Sequence, residues 1–255
     1  MQSFASSRAI GALVLREMAT TYGRTPGGYI WALLEPMAAV ALLSWIFALA
    51  FDSPPLGRSF ALFYATGYLP FAFYSDLAQK IGVAMRFSKP LLSYPALTWA
   101  DTILARFLLN AFTHFGIILC VLVVICTIED VVPANILLCA AGIALASLCG
   151  MAFGTLNTFL FEAFPVWERI WAILNRPAFI VSGVLFLPDS VPEPFDDLVW
   201  LNPLVHAISV FRSGVYSGYQ PATVDLYFAT IVPAAVLVVG LVCLSLHARS
   251  SMWLN

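Results

Sequence analysis

The sequence predicts an all-α polytopic membrane protein, and three observations support this fold class. The 255 residues are 61% hydrophobic and only 10% charged, with a mean hydropathy of +0.91. Soluble domains carry about 25% charged residues, so this chain has too few to cover a water-facing surface. Several apolar runs reach the roughly 20 residues that a helix needs to cross a bilayer. We therefore expect one transmembrane domain over residues 1–255.

The N-terminal stretch determines how the following spans are placed. Residues 6–28 carry apolar side chains at helical spacing together with the charges of Arg8 and Glu17, and they are too polar to span a bilayer. We expect an interfacial helix on the cytoplasmic side, with a bend at residues 26–28 that leads into the first span. A plain solvated helix is the alternative, because the apolar and polar faces are not cleanly separated.

Six apolar segments predict six transmembrane helices. Each approaches the length needed to cross about 30 Å of hydrocarbon. The segments are residues 29–51, 60–78, 102–128, 133–161, 170–187 and 226–246. In the fourth segment, Ala146, Gly150 and Gly154 recur at four-residue spacing, which predicts close packing against a neighbouring helix.

The periplasmic segment of residues 188–225, between the last two spans, is the longest connection in the chain. Within it, residues 202–214 are too apolar for a free loop and too short to span the membrane. We therefore expect short re-entrant helices before the last span. Asp196, Asp197 and Trp200 are expected to hold their approach at the level of the lipid headgroups.

The placement of lysine and arginine predicts the orientation of the spans. With the N-terminus inside, all but two of the twelve basic residues fall on the inner side, the exceptions being Arg58 and Arg212. Positive charge collects on the cytoplasmic side of membrane proteins. We therefore expect both termini to be cytoplasmic.

Catalytic and nucleotide-binding motifs are missing from the sequence. It contains no GxxxxGK[ST], no GxSxG and no HExxH. The chain therefore has no P-loop to hold a nucleotide phosphate, and we expect no catalytic residue, no metal and no cofactor on it. A net charge of −2 with no basic run indicates no nucleic-acid partner.

Ionisable residues within the spans bear on other mechanisms. Asp76 and Arg176 lie near the predicted cytoplasmic ends of their spans, which argues against a proton relay at the bilayer centre. His114 is expected to be a neutral histidine that donates to a carbonyl of a facing helix. A remote alternative function, an intramembrane hydrolase or acyltransferase, would need His114 to pair with Ser147 or Asn157.

Aromatic side chains run along the whole second span instead of gathering at its two ends. Core packing is one explanation for such a set. The functional interpretation is the wall of a translocation path, because aromatic faces pack against the C–H groups of sugars while tyrosine hydroxyls exchange hydrogen bonds. The residues expected to face this path are Tyr64, Tyr68, Phe71 and Tyr74.

Several segments, in this order, resemble the type-2 ABC transporter permeases. They are most similar to the family that exports capsular polysaccharide, the KpsM type. The resemblance covers nearly the whole chain. The segments are LREMATTYGRTPGGYIWALLEP, LLSYPALTWADTILAR, FPVWERIW, NRPAFIVSGVLFLPDSVP and LVWLNPLVHAISVFRSGVYSGY.

This resemblance implies an inner-membrane permease with six spans that works as a homodimer. Two separate cytoplasmic ATPase subunits would bind ATP and Mg. The substrate would be a lipid-linked capsular polysaccharide, passed on to a periplasmic adaptor and an outer-membrane channel. A permease for O-antigen, teichoic acid or another lipid-linked glycan is the alternative.

The resemblance also assigns roles to particular residues. The basic, amphipathic inner loop would form the ATPase coupling helix, with Ser88, Lys89, Pro90, Leu91, Leu92, Ser93 and Tyr94. A second contact with the ATPase would come from the interfacial helix, through Arg16, Glu17, Tyr22 and Arg24. Trp167 and Arg169 would lie at the cytoplasmic mouth, where an arginine suits a phosphate or an acidic sugar. For Arg169, an ordinary inside-positive anchor is the alternative.

Overall fold

The computed structural model describes residues 2–21, 27–88, 97–221 and 223–252. Within these ranges the fold consists of ten α-helices and one 3-10 turn, Pro188–Ser190, without a strand. The helices are α1 Gln2–Thr21, α2 Gly28–Ala50, α3 Phe60–Gly82, α4 Ala84–Ser88, α5 Trp99–Ile128, α6 Ile136–Ala163, α7 Trp167–Val181, α8 Asp196–Trp200, α9 Pro203–Val215 and α10 Leu226–Met252.

Four described helices are long and apolar enough to cross a membrane. They contain the segments Ile30–Ala50, Trp99–Ile128, Ile136–Ala163 and Leu226–Ala248. Helix α3 has 23 residues, about 34 Å at 1.5 Å per residue, but it carries Asp76 and Lys80 in its last turns. The all-α polytopic fold class is thus supported, while six continuous spans are not.

The fifth predicted span, residues 170–187, is wrong in its extent. Helix α7 has 15 residues and ends at Val181, which gives it a length of only about 22 Å. The Ser182 hydroxyl bonds back to the Ala178 carbonyl, and Gly183 takes a φ of +72°, which turns the chain out of the helix. Residues 184–187, which follow this turn, are apolar, so the pattern of residues 170–187 predicted one continuous span.

Local capping explains two other helix starts. Thr98 and Asp101 form a reciprocal capping box at the start of α5, with the Thr98 hydroxyl accepting from the Asp101 N–H at 3.2 Å. Helix α6 begins at Ile136 and not at residue 133, because the Asn135 side chain accepts hydrogen bonds from two backbone N–H groups of the first turn.

Helices α3 and α6 form the centre of the fold. A Cβ added at Gly150 would lie 2.9 Å from the Leu77 Cβ, and one added at Gly154 would lie 2.8 Å from the Ile81 Cβ. These distances are shorter than ordinary van der Waals contact, so only glycine allows the two backbones to approach this closely. The predicted close packing of the small-residue positions on this helix is confirmed.

The N-terminal helix packs on α5 and begins and ends earlier than predicted. It runs over Gln2–Thr21, and a new helix starts at Gly28 after Gly27, whose φ is +77°. A left-handed φ at Gly27 agrees with the predicted bend. The rest of the bend, residues 22–26, lies outside the described part of the chain.

The connection between α7 and α10 is packed into the protein. Helix α9 contacts α3, α6 and α10 and is buried along nearly its whole length. Arg212 on this helix is fully buried within the protein, so its charge is not exposed as that of an ordinary loop residue would be. Trp200 is only 9% exposed and packs with Val199 and Val205, so most of its ring contacts protein.

Candidate functional site

A polar cavity of about 700 Å³ lies between α2, α3, α5 and α7. Small and apolar side chains form part of its wall, but many of the lining groups are aromatic, charged or hydrogen-bonding. These are Trp31, Glu35, Tyr68, Phe71, Ser75, Asp76, Gln79, Lys80, His114, Trp171, Asn175 and Arg176. The mixture of rings and polar groups makes this cavity the candidate site.

One wall of the cavity contains a cluster around the Asp76 carboxylate. Its Oδ2 lies 2.7 Å from the Lys80 ammonium and 2.6 Å from His114 Nε2. The histidine ring also stacks on Phe73, with ring centroids 5.3 Å apart. This cluster joins α3 to α5. The expectation that His114 donates to a carbonyl is therefore wrong, because its partner is a carboxylate.

The nucleophile–base pair that an intramembrane enzyme would need is not formed. The Ser147 hydroxyl donates to the Ala144 carbonyl of its own helix. The Asn157 Oδ1 accepts a hydrogen bond from the Trp167 indole at 3.0 Å. Neither side chain is bonded to His114, so the structure offers no support for the hydrolase or acyltransferase alternative.

The wall formed by α7 carries two unsatisfied polar atoms. Trp171 and Asn175 are one helical turn apart, so they share a face of α7. The Asn175 amide donates to the Ser75 hydroxyl, and the Trp171 ring stacks on Phe153. Among the described residues, neither the Trp171 Nε1–H nor the Asn175 Oδ1 has a partner. A donor and an acceptor in adjacent turns are suited to a hydroxyl group, which can accept from one and donate to the other.

The predicted aromatic path residues divide into two groups. Tyr68 and Phe71 line the cavity. Tyr64 is 1% exposed and lies beyond the cavity, with its ring 4.9 Å from that of Phe47. Tyr74 is turned toward α6, where it meets Phe153 edge to face. Core packing, the alternative considered for this set, therefore describes Tyr64 and Tyr74.

The predicted mouth residues lie at the start of α7. Trp167 is tied to α6 by its bond to Asn157, whereas Arg169 is exposed. The cation with defined partners in this region is Arg86, which pairs with Glu168 at 2.5 Å and donates to the Phe161 carbonyl at 3.1 Å. This pair could not be predicted from the sequence, since its members are 82 positions apart.

The residues predicted to contact an ATPase are only partly described. Arg16 is exposed, and Ser88 is buried at the end of α4. Tyr22, Arg24, Lys89, Pro90, Leu91, Leu92, Ser93 and Tyr94 lie outside the described residues.

Glu17 is turned into the protein and not toward a partner. Its Oε1 lies 3.1 Å from the Arg106 Nε in a largely buried ion pair. Burial raises the pKa of Glu17, and the neighbouring Arg106 opposes that shift. The Arg106 guanidinium lies 4.4 Å from the Phe87 ring and that of Arg16 lies 5.8 Å from it. Two cations thus bracket the ring directly before Ser88.

Comparison with known proteins identifies the class to which this fold and site belong. Residues 8–216 match the family model of the ABC-2 type transporter. Because the match covers most of the chain, the protein belongs to the ABC-2 type transporter family. The resemblance seen in the sequence is confirmed.

Three relatives show how similar the chain is to characterised family members. It is 29% identical over 233 residues to the polysialic acid transport protein KpsM of Escherichia coli, which covers 91% of this chain and 90% of KpsM. It is 26% identical to the capsule polysaccharide export inner-membrane protein CtrC of Neisseria meningitidis, over 92% and 89% of the two chains. BexB of Haemophilus influenzae, with the same description, is 26% identical over 92% and 89%. The similarity therefore extends over the whole fold.

Proposed function

We propose that this chain is the permease subunit of an ATP-driven exporter that moves a lipid-linked capsular polysaccharide across the bacterial inner membrane. The names of the relatives support the substrate class, since each refers to export of a capsule polysaccharide or of polysialic acid. A permease for O-antigen, teichoic acid or another lipid-linked glycan remains the second candidate, because each presents sugar rings and hydroxyl groups to the same path.

The observation that carries the proposal is the composition of the polar cavity. Trp31, Tyr68 and Trp171 offer ring faces, which pack against the C–H faces of sugars. The unpartnered Trp171 N–H and Asn175 Oδ1 offer the two hydrogen-bonding functions that a sugar hydroxyl satisfies. Rings combined with a few directed polar groups are typical of a ligand site.

The proposed assembly contains two copies of this chain and two ATPase subunits that bind ATP and Mg on the cytoplasmic side, where both termini would lie. The segment of residues 88–94 would dock into the ATPase, and α1 would assist it. The bracketing of Phe87 by Arg16 and Arg106 supports this role, because it ties α1 and α5 to the start of that segment. A periplasmic adaptor and an outer-membrane channel would receive the polymer.

The function is tested by deleting the gene in its native host and measuring polysaccharide at the cell surface and inside the cell. We expect surface capsule to be lost and polymer to accumulate inside. Restoring the gene as Trp171→Phe keeps the ring but removes the N–H, so export should fall about fivefold, the effect of roughly one hydrogen bond. Trp45→Phe is the matched control, because Trp45 is 64% exposed on α2.

Two results would contradict the proposal. If surface capsule persists in the deletion strain while another lipid-linked glycan is lost, the second candidate is correct. If Trp171→Phe and Trp45→Phe export equally well at equal protein levels, the cavity does not contact the substrate.

A further inference from the structure

Three aromatic rings from α3 and α7 pack together at the edge of the polar cavity. The ring of Phe179, the third residue from the end of α7, lies 5.2 Å from the Phe71 ring and 6.3 Å from the Tyr68 ring, in both cases edge to face. Tyr68 and Phe71 line the cavity, whereas Phe179 does not. The three rings therefore join α3 to α7 beside the cavity, and we call them the aromatic gate.

The turn after α7 lies directly behind the aromatic gate. Val184 in this turn is fully buried and belongs to the same apolar cluster as Phe71 and Phe179. Leu204 and Ile208 of α9 belong to the same cluster. The gate is thus backed by a layer whose position depends on how the turn is held.

Arg212 of α9 holds the turn by three hydrogen bonds. Its Nη1 donates to the carbonyls of Gly183 and Phe186 at 2.7 and 3.1 Å, and its Nη2 donates to the Val184 carbonyl at 3.0 Å. The guanidinium also lies 4.4 Å from the ring of Phe63 on α3. The planar fork of arginine fits several converging acceptors in a way that the single ammonium of lysine does not.

The environment of Arg212 is unusual because the side chain is fully buried and forms no ion pair with any described residue. Burying an unpaired charge is unfavourable unless hydrogen bonds compensate for the lost water. Here the compensation comes from carbonyl groups of one short turn and from one aromatic face. The Arg212 guanidinium therefore connects α9 to both the turn and α3.

The packing around the turn is equally tight. A Cβ on Gly67 of α3 would lie 2.7 Å from the Arg212 Nη2 and 2.9 Å from the Val184 carbonyl oxygen. The Asn202 amide donates to the Ser182 hydroxyl at 3.0 Å. The turn is thus fixed to α3 and α9, while the ring contacts of Phe179 are the only aromatic link between α7 and α3 in the described part of the chain.

We propose that the three rings are a gate that closes the α9 end of the transport cavity, and that Arg212 is the positioning residue that keeps the gate closed. Arg212 fixes the turn, so α7 can tilt about Gly183 and carry Phe179 away from Tyr68 and Phe71. This tilt separates the ring contacts and also breaks the Asn175–Ser75 hydrogen bond between α7 and α3, whereas the turn stays attached to α9. The inference rests on the proposed function only in that the cavity belongs to a solute path.

The test measures leakage through the closed transporter. The full-length permease is purified with its ATPase from native membranes, reconstituted in liposomes loaded with KCl, and K⁺ efflux is followed without ATP. Phe179→Ala should raise efflux about fivefold, because it removes two aromatic contacts that hold the gate. Arg212→Gln should raise it similarly, and Arg212→Lys should give an intermediate value. The Phe179→Ala/Arg212→Gln double variant should leak no more than the leakier single variant, since both open one gate.

Phe161→Ala is the matched control, because Phe161 is a buried ring on α6 at the other end of α3, beside Gly82. Thermal unfolding of the Phe161→Ala variant shows whether a leak reflects a general loss of packing. Should Arg212→Gln fail to fold, Phe179→Leu and Arg212→Lys carry the test. The proposal is overturned if folded Phe179→Ala leaks like the wild type, or if Phe161→Ala leaks as much. K⁺ efflux requires no glycan, so this test does not depend on the substrate. If Phe179→Ala leaks as expected while the deletion strain keeps its surface capsule, the proposed substrate is wrong but the gate is supported.

Discussion

At the scale of single residues, buried polar groups act as ties between helices. Asp76 joins α3 to α5 through His114, and Glu17 joins α1 to α5 through Arg106. Each tie bonds a side chain to a partner far away in the sequence. Removing Arg106 would leave the Glu17 carboxylate largely buried without its partner, which costs more than the intact bond contributes. These ties set the relative positions of the helices around the cavity.

His206 gives a prediction on pH at this scale. It lies on α9, in the connection outside the candidate spans, where its Nδ1 accepts from the Asp225 N–H and its Nε2 lies 2.8 Å from the Trp200 carbonyl oxygen. These two bonds require the neutral imidazole with its proton on Nε2. Burial lowers the pKa of His206 below its usual range, and the bond to Trp200 opposes the shift.

Because the folded-state pKa of His206 is lowered, its contribution to stability is present above about pH 6.5 and is lost as the pH falls below that value. We expect the purified protein to melt at a lower temperature at pH 5 than at pH 7.5. His206→Gln should reduce this difference. An equal pH response in wild type and His206→Gln would contradict the assignment. Melting in detergent, followed by tryptophan fluorescence, measures it.

At the scale of helices, the close approach of α3 and α6 provides the support against which shorter helices pack. Gly142 extends the contact to α9, since a Cβ there would meet the Phe211 Cβ at 2.6 Å. A glycine surface allows many van der Waals contacts between backbones, which is the main attraction between helices in a membrane. The cavity can therefore lie beside this pair without weakening the fold.

Gly150→Val tests this support. The new side chain would force Leu77 and the α3 backbone away, and such overpacking costs about 1–3 kcal/mol in unfolding free energy. The measurement is thermal unfolding in detergent. Gly116→Ala is the control, because a Cβ at Gly116 on α5 has no atom within 4 Å, and its melting temperature should stay equal or rise. Equal melting of Gly150→Val and wild type would mean that α3 and α6 are not held together here.

At the scale of the whole molecule, the polar cavity is connected through helix contacts to Phe87, directly before the proposed ATPase-coupling segment. Movement of an ATPase would reach the cavity through Ser88 and α4 on one side and α1 on the other. Phe87 of α4 contacts Arg106 of α5, and Arg106 donates to the Lys80 carbonyl of α3. Helices α3 and α5 both form walls of the cavity. If residues 88–94 bind the ATPase as proposed, transport should depend on how tightly the ATPase binds this segment.

Substitution of Leu91 and Tyr94 by Ala tests whether this segment binds the ATPase. We expect a pull-down in mild detergent to recover a P-loop ATPase in equal amount with the wild type, and much less with the double variant. Insertion into the membrane should be unchanged. The control is Leu119→Ala, a residue 55% exposed on α5. Retention of ATPase and export by the double variant would place the coupling segment elsewhere.

Much of this architecture could be predicted because long membrane helices appear in a sequence as runs of about 20 apolar residues. The predicted segment at residues 29–51 corresponds to Gly28–Ala50, and the segment at 133–161 corresponds to Ile136–Ala163. The end of α7 was missed because residues 184–187 are as apolar as a span. Only Gly183 marks the break, and a single glycine is a weak signal.

The site was harder to predict, since its contacts join distant parts of the chain. Asp76 and His114 are 38 positions apart, and nothing in a single sequence pairs them. Arg212 was counted as a loop charge, because a charge pattern carries no information on burial. Trp171 and Asn175 could have been found, because their four-residue spacing puts a ring and an amide on one helix face.

The carbonyl groups gathered by Arg212 have a consequence for how the chain is made. Gly183, Val184 and Phe186 leave the ribosome about 26 to 29 residues before the arginine that satisfies them. Until α9 follows, these oxygens lack the guanidinium that binds them in the folded protein. We therefore expect the turn after α7 to reach its final position only once α9 has been synthesised.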